Sequence, residues 1–438
     1  MRRNITAFLL AVAAAVMMLA PLSVTASAEP DKTSAPPVLE NVGAAVVYNI
    51  ENDRYIYELD ADKVIYPAST VKLMTAIVVL EALDGDLDRE ITVESAAIVG
   101  VTGNRIALKR GEVLTAEQLL YALICGGAND AATVLAYEVA GGIEQFTLLM
   151  NKKARELGAT HTFYTNPTGM HDSLMVTTAR DTAIIATYAY KLSPICDIAS
   201  VEKYVIEPTN KAGKRTIFNK NYYYSTHMEY KYKWDIPRGL NAGYTPQGGN
   251  CVVTTATRAG LTYVVVVMGA EQDDRYIYSY TEAADLVKWA FDAYSYTKVL
   301  TTADIICEME VKLSAKVDHV TLFPSETFEL FLPSDIDIEN DVELILDLNR
   351  DYFTAPVSEG ESAGTITLVY NGETLGTCEL ITHNSVSRNN ILYVLDLMVL
   401  FTKSRPFRII ATTAAVLIIG YIAVAVFVRV ARIKRYYR

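Results

Sequence analysis

Residues 67–76 have the sequence PASTVKLMTA, in which Ser69 and Lys72 stand three positions apart. Lys72 is the only charged residue between Lys63 and Glu81, inside an otherwise apolar run. At the start of a helix, residues three apart lie on the same face, one turn from each other. The spacing therefore predicts an amine within reach of a serine hydroxyl, which is one way in which proteins activate a nucleophile.

The two ends of the chain predict export and anchoring in the cell membrane. Residues 1–28 hold two arginines, an apolar run and an A-x-A sequence, which is typical of a secretory signal peptide. Residues 409–428 carry no charge and are long enough to cross a hydrocarbon core of roughly 30 Å. More cations follow this stretch than precede it, so we expect a cytoplasmic tail at 429–438 and an extracytoplasmic location for the chain between the two ends.

Charge and cysteine spacing exclude several function classes. The formal net charge is −12, and both ends hold cations without acids, so the middle of the chain is more acidic than the whole. Such a domain repels nucleic acid. The five cysteines show no C-x-x-C spacing, so neither a metal knuckle nor a redox pair is predicted. Two arrangements stay open for Cys307 and Cys378: a disulfide, which export permits, or free buried thiols, which are more frequent.

The pattern between the ends predicts a sheet of early and late strands with helices between them. Residues 29–40 are proline-containing and polar, as in a flexible linker, and 41–60 alternate like a hairpin at a sheet edge. After Pro194 the pattern changes to strands. We predict helices at 115–124, from Asn129, at 143–157, 178–192 and 282–294, and an antiparallel meander at 240–244, 251–258 and 261–268.

Four stretches resemble the serine-type D-alanyl-D-alanine carboxypeptidases, which are low-molecular-weight penicillin-binding proteins of peptidase family S11, related to class A β-lactamases. Beside PASTVKLMTA they are NRIALKRGEVLTAEQLLYALICGGANDAA, NPTGMHDSLMVTTARD and GLNAGYTPQGGNCVVTTATRAGLTYVVVVMGA. Residues 305 to about 381 are similar to the small β-rich domain that follows in this family. The resemblance covers most of the exported chain.

The resemblance implies an α/β fold, a β-lactamase/DD-peptidase-like sandwich in which helices flank an antiparallel sheet beside a helical lobe. A small β-rich domain and a C-terminal transmembrane helix follow. The expected organisation is a signal peptide at 1–28, a linker at 29–40, a catalytic domain at 41–297, a β-rich domain at 298–385, a juxtamembrane segment at 386–408, a span at 409–428 and a basic tail at 429–438.

The resemblance also implies a chemistry for each motif. Ser69 would attack the carbonyl between two D-alanines to form an acyl-enzyme, and Lys72 would have to be neutral to take its proton. The backbone N–H groups of Ser69 and Tyr244 would form the oxyanion hole. Asn129, the last residue of the second motif, would be the third catalytic residue beside Ser69 and Lys72. The implied partners are peptidoglycan stem peptides ending in D-Ala-D-Ala and β-lactams as covalent ligands, with no cofactor and no metal.

Two motifs depart from the family pattern. Where the family has S-x-N, this chain has GAN, with Gly127 in place of the serine. Where the family has K-T-G, this chain has NAG, with Asn241, Ala242 and Gly243. Two functions therefore stay open: a D-Ala-D-Ala carboxypeptidase, with activity reduced by these changes, or a non-enzymatic peptidoglycan-binding or regulatory relative.

Other residue groups favour structural interpretations. Arg238 and Arg258 are cations on or beside the meander, but regular alternation places Arg238 on the opposite face from Asn241, so we interpret both as surface arginines. His161, His171 and Asp172 lie in a loop-rich stretch without ligand spacing. For the aromatic run that begins at 222–224, a loop packed beside the active-site strand is favoured over a glycan-stacking surface.

Overall fold

The computed structural model describes residues 35–224, 232, 237–314 and 316–436. The predicted signal peptide and residues 29–34 of the linker lie outside this part of the chain. The described residues form two compact units. The first ends at Ser295 and also includes Pro333–Asp335, and the second consists of Tyr296–Leu332 and Ile336–Arg438.

The first unit is built on a five-stranded antiparallel sheet of order β2-β1-β9-β8-β7. Strands from early and late in the chain therefore share one sheet, as predicted. The strands β2 and β7 form its edges, which agrees with the hairpin predicted at a sheet edge. Two short antiparallel strand pairs, β3–β4 and β5–β6, lie outside this sheet. The strands are β1 Ala44–Asn49, β2 Arg54–Leu59, β3 Glu90–Thr92, β4 Val113–Thr115, β5 Lys203–Ile206, β6 Arg215–Phe218, β7 Pro237–Thr245, β8 Gly249–Arg258 and β9 Leu261–Ala270.

The helices of this unit follow the apolar periodicity of the sequence. The helix α3 begins with a capping box, in which the Thr115 side chain accepts from the Gln118 backbone while the Gln118 side chain reaches back. A large cluster of buried apolar residues surrounds α1. The helices are α1 Val71–Ala82, α2 Ser95–Ile98, α3 Ala116–Ile124, α4 Asn129–Ala140, α5 Ile143–Glu156, α6 Ala179–Lys191, α7 Ser193–Ala199 and α8 Tyr278–Ala293.

The prediction that strands begin directly after Pro194 is wrong, because α7 occupies Ser193–Ala199. Pro194 lies in the first turn of this helix. Backbone N–H groups in a first turn have no acceptor within the helix, so proline loses no hydrogen bond there, and its fixed φ favours the helical conformation. Ile195, Ile198 and Ala199 are buried, so one face of the helix packs on the core.

The second unit contains a six-stranded sheet of order β14-β16-β17-β12-β11-β15, in which only the β11–β15 pair is parallel. A pair of strands, β10 and β13, forms a separate sheet. The strands of this unit and its short helix are β10 Tyr294–Leu300, β11 Cys307–Lys312, β12 His319–Pro324, β13 Phe328–Pro333, α9 Ile338–Asp341, β14 Val342–Leu348, β15 Phe353–Thr354, β16 Ser362–Tyr370 and β17 Glu373–Thr382.

Cys307 and Cys378 are free thiols in this structure, on β11 and β17. Two helices, α10 Asn390–Lys403 and α11 Arg405–Tyr436, follow the strands. Within α11, Arg405–Arg432 contains an 18-residue stretch with a mean hydropathy of 2.5 and is long and apolar enough to cross a membrane. It contains the span predicted at 409–428, and α10 lies within the segment predicted to be juxtamembrane.

Candidate active site

The nucleophile motif forms the transition from a 3₁₀ turn, Ala68–Thr70, into α1. The Thr70 hydroxyl donates to the Pro67 carbonyl at 2.6 Å and so holds this turn closed. The Lys72 amine lies 3.1 Å from the Ser69 hydroxyl oxygen. The predicted contact between serine and lysine across one turn is therefore present in the folded chain.

Lys72 is buried, with 1 % of its surface exposed. Burial lowers the pKa of Lys72 from its usual 10.5 to about 7, because the charged form loses its hydration. A substantial fraction of a lysine with such a pKa is neutral near pH 7. A neutral amine can accept the proton of the Ser69 hydroxyl, which an ordinary surface lysine at this pH cannot do.

A loop after α5 fixes the other side of Lys72. The Lys72 amine donates a hydrogen bond to the backbone carbonyl of Thr168. The side-chain oxygen of Asn166 accepts from the backbone N–H of Thr168 at 3.1 Å and from that of Gly169 at 2.9 Å. Gly169 has φ +79°, and a Cβ there would stand 2.1 Å from the Ala68 carbonyl oxygen. The NPTG sequence therefore produces a tight loop packed against the nucleophile turn.

The strand β7 approaches the nucleophile from the sheet. A Cβ on Gly243 would stand 2.4 Å from the Ser69 Cβ and 2.6 Å from the Ser69 nitrogen, so only glycine permits this approach. Ala242 and Tyr244, on either side of Gly243, line the same cavity as Ser69. The structure therefore brings together both residues predicted to supply the oxyanion hole.

The second motif also forms part of the wall of this cavity. Gly127 lines the cavity and has φ +63°, a left-handed conformation that favours glycine. Asn129 begins α4 and is 4 % exposed. Its side chain donates to the Thr102 carbonyl at 2.8 Å, and its backbone N–H donates to the Asn104 carbonyl at 2.8 Å. In this structure, Asn129 fixes the loop that forms the cavity wall.

The cavity beside Ser69 has a volume of about 390 Å³. Predicted positions Ser69, Gly127, Ala242, Gly243 and Tyr244 line it, whereas Lys72, Asn129 and Asn241 are buried close by in the same unit. The sequence analysis missed several polar residues in its wall, because they come from segments far apart in the chain. They are Asn104, Lys220, Tyr222, Asn250 and Gln272.

Of the two arginines predicted to lie on the surface, only Arg258 has a described side chain. Arg258 forms an ion pair with Asp292 at 3.3 Å and is not among the described residues that line the cavity, which agrees with a surface arginine. The side chain of Arg238 lies outside the described part of the chain. A register shift in β7 between Gly239 and Asn241 interrupts the regular alternation from which opposite faces were predicted.

The aromatic loop packs beside the active-site strand, as predicted. Tyr223 is 3 % exposed, and the Tyr224 hydroxyl accepts from the Gly239 backbone N–H of β7 at 3.0 Å. Tyr230 and Trp234 lie outside the described residues.

The two histidines of the loop after α5 contact different partners. His161 has a ring nitrogen 3.9 Å from Asp181, and the ring of His171 packs edge-on against Tyr66 at 4.7 Å. In the described ranges of the chain, no three His, Cys, Asp or Glu side chains are grouped so that they could hold a metal ion.

Comparison with known proteins assigns families to both units. A profile described as D-alanyl-D-alanine carboxypeptidase matches residues 31–272, which is more than half of the chain, and one described as penicillin-binding protein 5, C-terminal domain, matches 294–388. The D-alanyl-D-alanine carboxypeptidase DacF of Bacillus subtilis (strain 168) is 28 % identical over 364 residues, which is 82 % of this chain and 89 % of the relative.

A second curated relative and a solved structure agree with this assignment. The D-alanyl-D-alanine carboxypeptidase DacC of Escherichia coli (strain K12) is 27 % identical over 373 residues, which is 83 % of this chain and 88 % of the relative. The crystal structure of penicillin binding protein 5 from Haemophilus influenzae covers 81 % of this chain and 100 % of its own, with a TM-score of 0.58 at 24 % identity. That likeness confirms the fold.

Proposed function

Because this chain belongs to the D-alanyl-D-alanine carboxypeptidase family, we propose that it removes the terminal D-alanine from peptidoglycan stem peptides through an acyl-enzyme on Ser69. The observation that carries the proposal is the buried Lys72 amine, 3.1 Å from the Ser69 oxygen. Its pKa of about 7 supplies a base at neutral pH, which is the requirement that the serine nucleophile imposes.

The proposed reaction has two steps. In the first, the Ser69 oxygen attacks the carbonyl between the two D-alanines while Lys72 takes the hydroxyl proton; the C–N bond then breaks and the terminal D-alanine leaves with a proton. In the second, water hydrolyses the resulting ester and regenerates the Ser69 hydroxyl. The backbone N–H groups of Ser69 and Tyr244 would bind the oxyanion, and both residues lie at the same cavity.

The uncharged residues Gly127, Asn241 and Ala242 in the altered motifs favour a second candidate, a non-catalytic protein that binds stem peptides. Gly127 and Ala242 present no hydroxyl to the cavity, and Asn241 carries no charge. Positioned acid–base and electrostatic groups each contribute about 10²-fold or more to a rate, so their loss slows turnover, although losses within one network are not additive. Such a protein would keep the groove and bind D-Ala-D-Ala without cleaving it.

The proposed location is the outer face of the cell membrane. The helix that contains Arg405–Arg432 would anchor the chain. The cations at 429–438 favour a cytoplasmic end by the positive-inside rule, which leaves the first unit outside, where peptidoglycan precursors are. α10 exposes apolar residues such as Ile391 and Met398, which suits a segment in the membrane interface.

Intact-protein mass after exposure to penicillin tests the proposed enzyme. We expect the full chain in detergent to gain the mass of one penicillin, because β-lactams acylate the same serine as the substrate. The variant Ser69→Ala should gain none, and Ser193→Ala, at an exposed serine on α7, should label like the unchanged protein. An absence of labelling at high penicillin concentration would favour the non-catalytic binding protein.

A further inference from the structure

A carboxypeptidase substrate ends in a free carboxylate, which must be held next to the scissile bond. The position that supplies a cation in the family motif is Asn241 in this chain, and it is neutral. Transfer of a carboxylate into a partly enclosed cavity costs free energy unless a cation or several hydrogen-bond donors receive it. A carboxylate bound in the cavity beside Ser69 therefore requires another cation or a group of hydrogen-bond donors in the cavity wall.

Lys220 meets this requirement. Among the described residues that line the cavity, Lys220 is the one Lys or Arg, and none is Asp or Glu. Within the described chain, no hydrogen-bond or ion-pair partner contacts the Lys220 ammonium, and its side chain is exposed. A lysine without a protein partner can receive a carboxylate without first breaking an ion pair.

The backbone on both sides of Lys220 is fixed. Its own N–H donates to the Cys125 carbonyl at 2.9 Å, which ties it to the end of α3. Asn219, immediately before it, is 3 % exposed, and its side chain donates to the Ala199 carbonyl at 2.9 Å and to the Val201 carbonyl at 2.7 Å. Asn221, immediately after it, is 5 % exposed. The flanking side chains are thus buried, while Lys220 between them lines the cavity.

Gly127 lies beside Lys220 in the cavity wall. A Cβ on Gly127 would stand 3.7 Å from Lys220 Cγ and 3.4 Å from the side-chain nitrogen of Asn104. Both distances are ordinary van der Waals contacts. Gly127, which replaces the serine of the second motif, and Lys220 are therefore neighbours in the cavity wall.

We propose that Lys220 binds the terminal carboxylate of the D-Ala-D-Ala peptide and takes the place of the cation that is absent at Asn241. This inference rests on the proposed function for its choice of ligand. Lys220 comes from the segment between β6 and the aromatic loop rather than from β7. The carboxylate is therefore received from the Gly127 side of the cavity.

The test measures binding without turnover. The full chain in detergent carries Ser69→Ala, and two synthetic peptides that end in D-Ala-D-Ala are compared, one with a free carboxylate and one with a C-terminal amide. Isothermal titration should show that Lys220→Ala weakens binding of the acid roughly 10- to 100-fold, as expected for loss of a charge-assisted contact, and leaves binding of the amide unchanged. Lys220→Arg should retain most of the preference for the acid.

Lys203→Ala is the matched control, because Lys203 is an exposed lysine on β5 that is not among the described residues of the cavity wall. It should bind both peptides like the parent. Equal losses for acid and amide, no loss for either, or no binding of either peptide to the parent would overturn the role of Lys220. Penicillin labelling of Ser69 is independent of this result. If penicillin labels Ser69 but Lys220→Ala does not weaken binding of the acid, only the role of Lys220 is overturned. If Lys220→Ala weakens binding of the acid but penicillin does not label Ser69, only the proposed enzymatic activity is overturned.

Discussion

The two walls of the active-site cavity are held by different kinds of interaction. On the helix wall, Ser69, Lys72 and the Thr168 carbonyl form one hydrogen-bonded group, and the lysine is almost fully buried. On the opposite wall, Gly127 and Ala242 are small and neutral. The comparison indicates that the proposed activation of Ser69 would depend on the packed core, whereas the charge offered to a ligand depends on side chains at the cavity surface.

This difference has a physical origin. The low pKa of Lys72 comes from burial, so it persists as long as α1 and the NPTG loop pack together. Side chains that line the cavity, such as Ala242, can be exchanged without reorganising that core. The helix wall can thus keep its chemistry while the opposite wall changes the way in which it recognises a ligand.

Removal of the helix-wall base should have the largest effect. We expect Lys72→Met to lower the rate of penicillin acylation by about 10³-fold, because no base then takes the Ser69 proton. The rate is measured by the time course of labelling with a fluorescent penicillin. An undiminished rate in this variant would show that the contact between Ser69 and Lys72 does not activate the serine.

The pH profile distinguishes a lost base from a damaged fold. Below pH 7, the rate at which penicillin acylates the unchanged protein should rise about tenfold for each unit of increase in pH. Above pH 7 the rate should level off, because most of Lys72 is then neutral. In the unfolded chain Lys72 has its usual pKa of 10.5, so its burial costs stability in full below pH 7, and this cost disappears as the pH rises towards 10.5. Lys72→Met should therefore be the more stable protein at pH 6, with a smaller advantage at pH 9.

Separation of the two walls should have the next largest effect. A Cβ on Gly243 would overlap Ser69, so Gly243→Ala should push β7 away from the nucleophile and displace the Tyr244 backbone. We expect acylation to fall by about 10²-fold, which is typical when an oxyanion-hole donor is lost. Gly213→Ala, where a Cβ meets nothing within 4 Å, is the control for loss of a glycine. Equal rates for the two variants would contradict the close approach.

Restoration of the family residues should have the smallest effect. Asn241→Lys together with Ala242→Thr should raise acylation by roughly tenfold, since a positioned cation returns to β7. The gain should be larger in a Lys220→Ala background, where no other cation receives the carboxylate. No gain in either background would mean that these substitutions do not limit the reaction.

Addition of Gly127→Ser should lower the stability of the double variant. Gly127 has φ +63°, so a serine there is strained by roughly 1 kcal/mol. The thermal midpoint of the triple variant should accordingly lie below that of the double variant.

Much of the fold followed from local patterns. Apolar periodicity and the cap at Thr115 predicted α3, and alternating apolar residues predicted the edge hairpin and the meander. α7 was missed because a proline marks a helix start as readily as a helix end, and Ser193–Ala199 is too short to show a clear period. The register shift in β7 was also missed, since a bulge leaves no signal in the alternation of side chains.

The sequence by itself determined the spacing of Ser69 and Lys72, because one helical turn fixes that distance without help from the rest of the chain. It also determined the family, through four motifs. Only the tertiary structure decided the low pKa of Lys72, since burial depends on segments far along the chain. It alone brought Lys220 to the wall beside Gly127, because residues remote in sequence meet only when the core has formed.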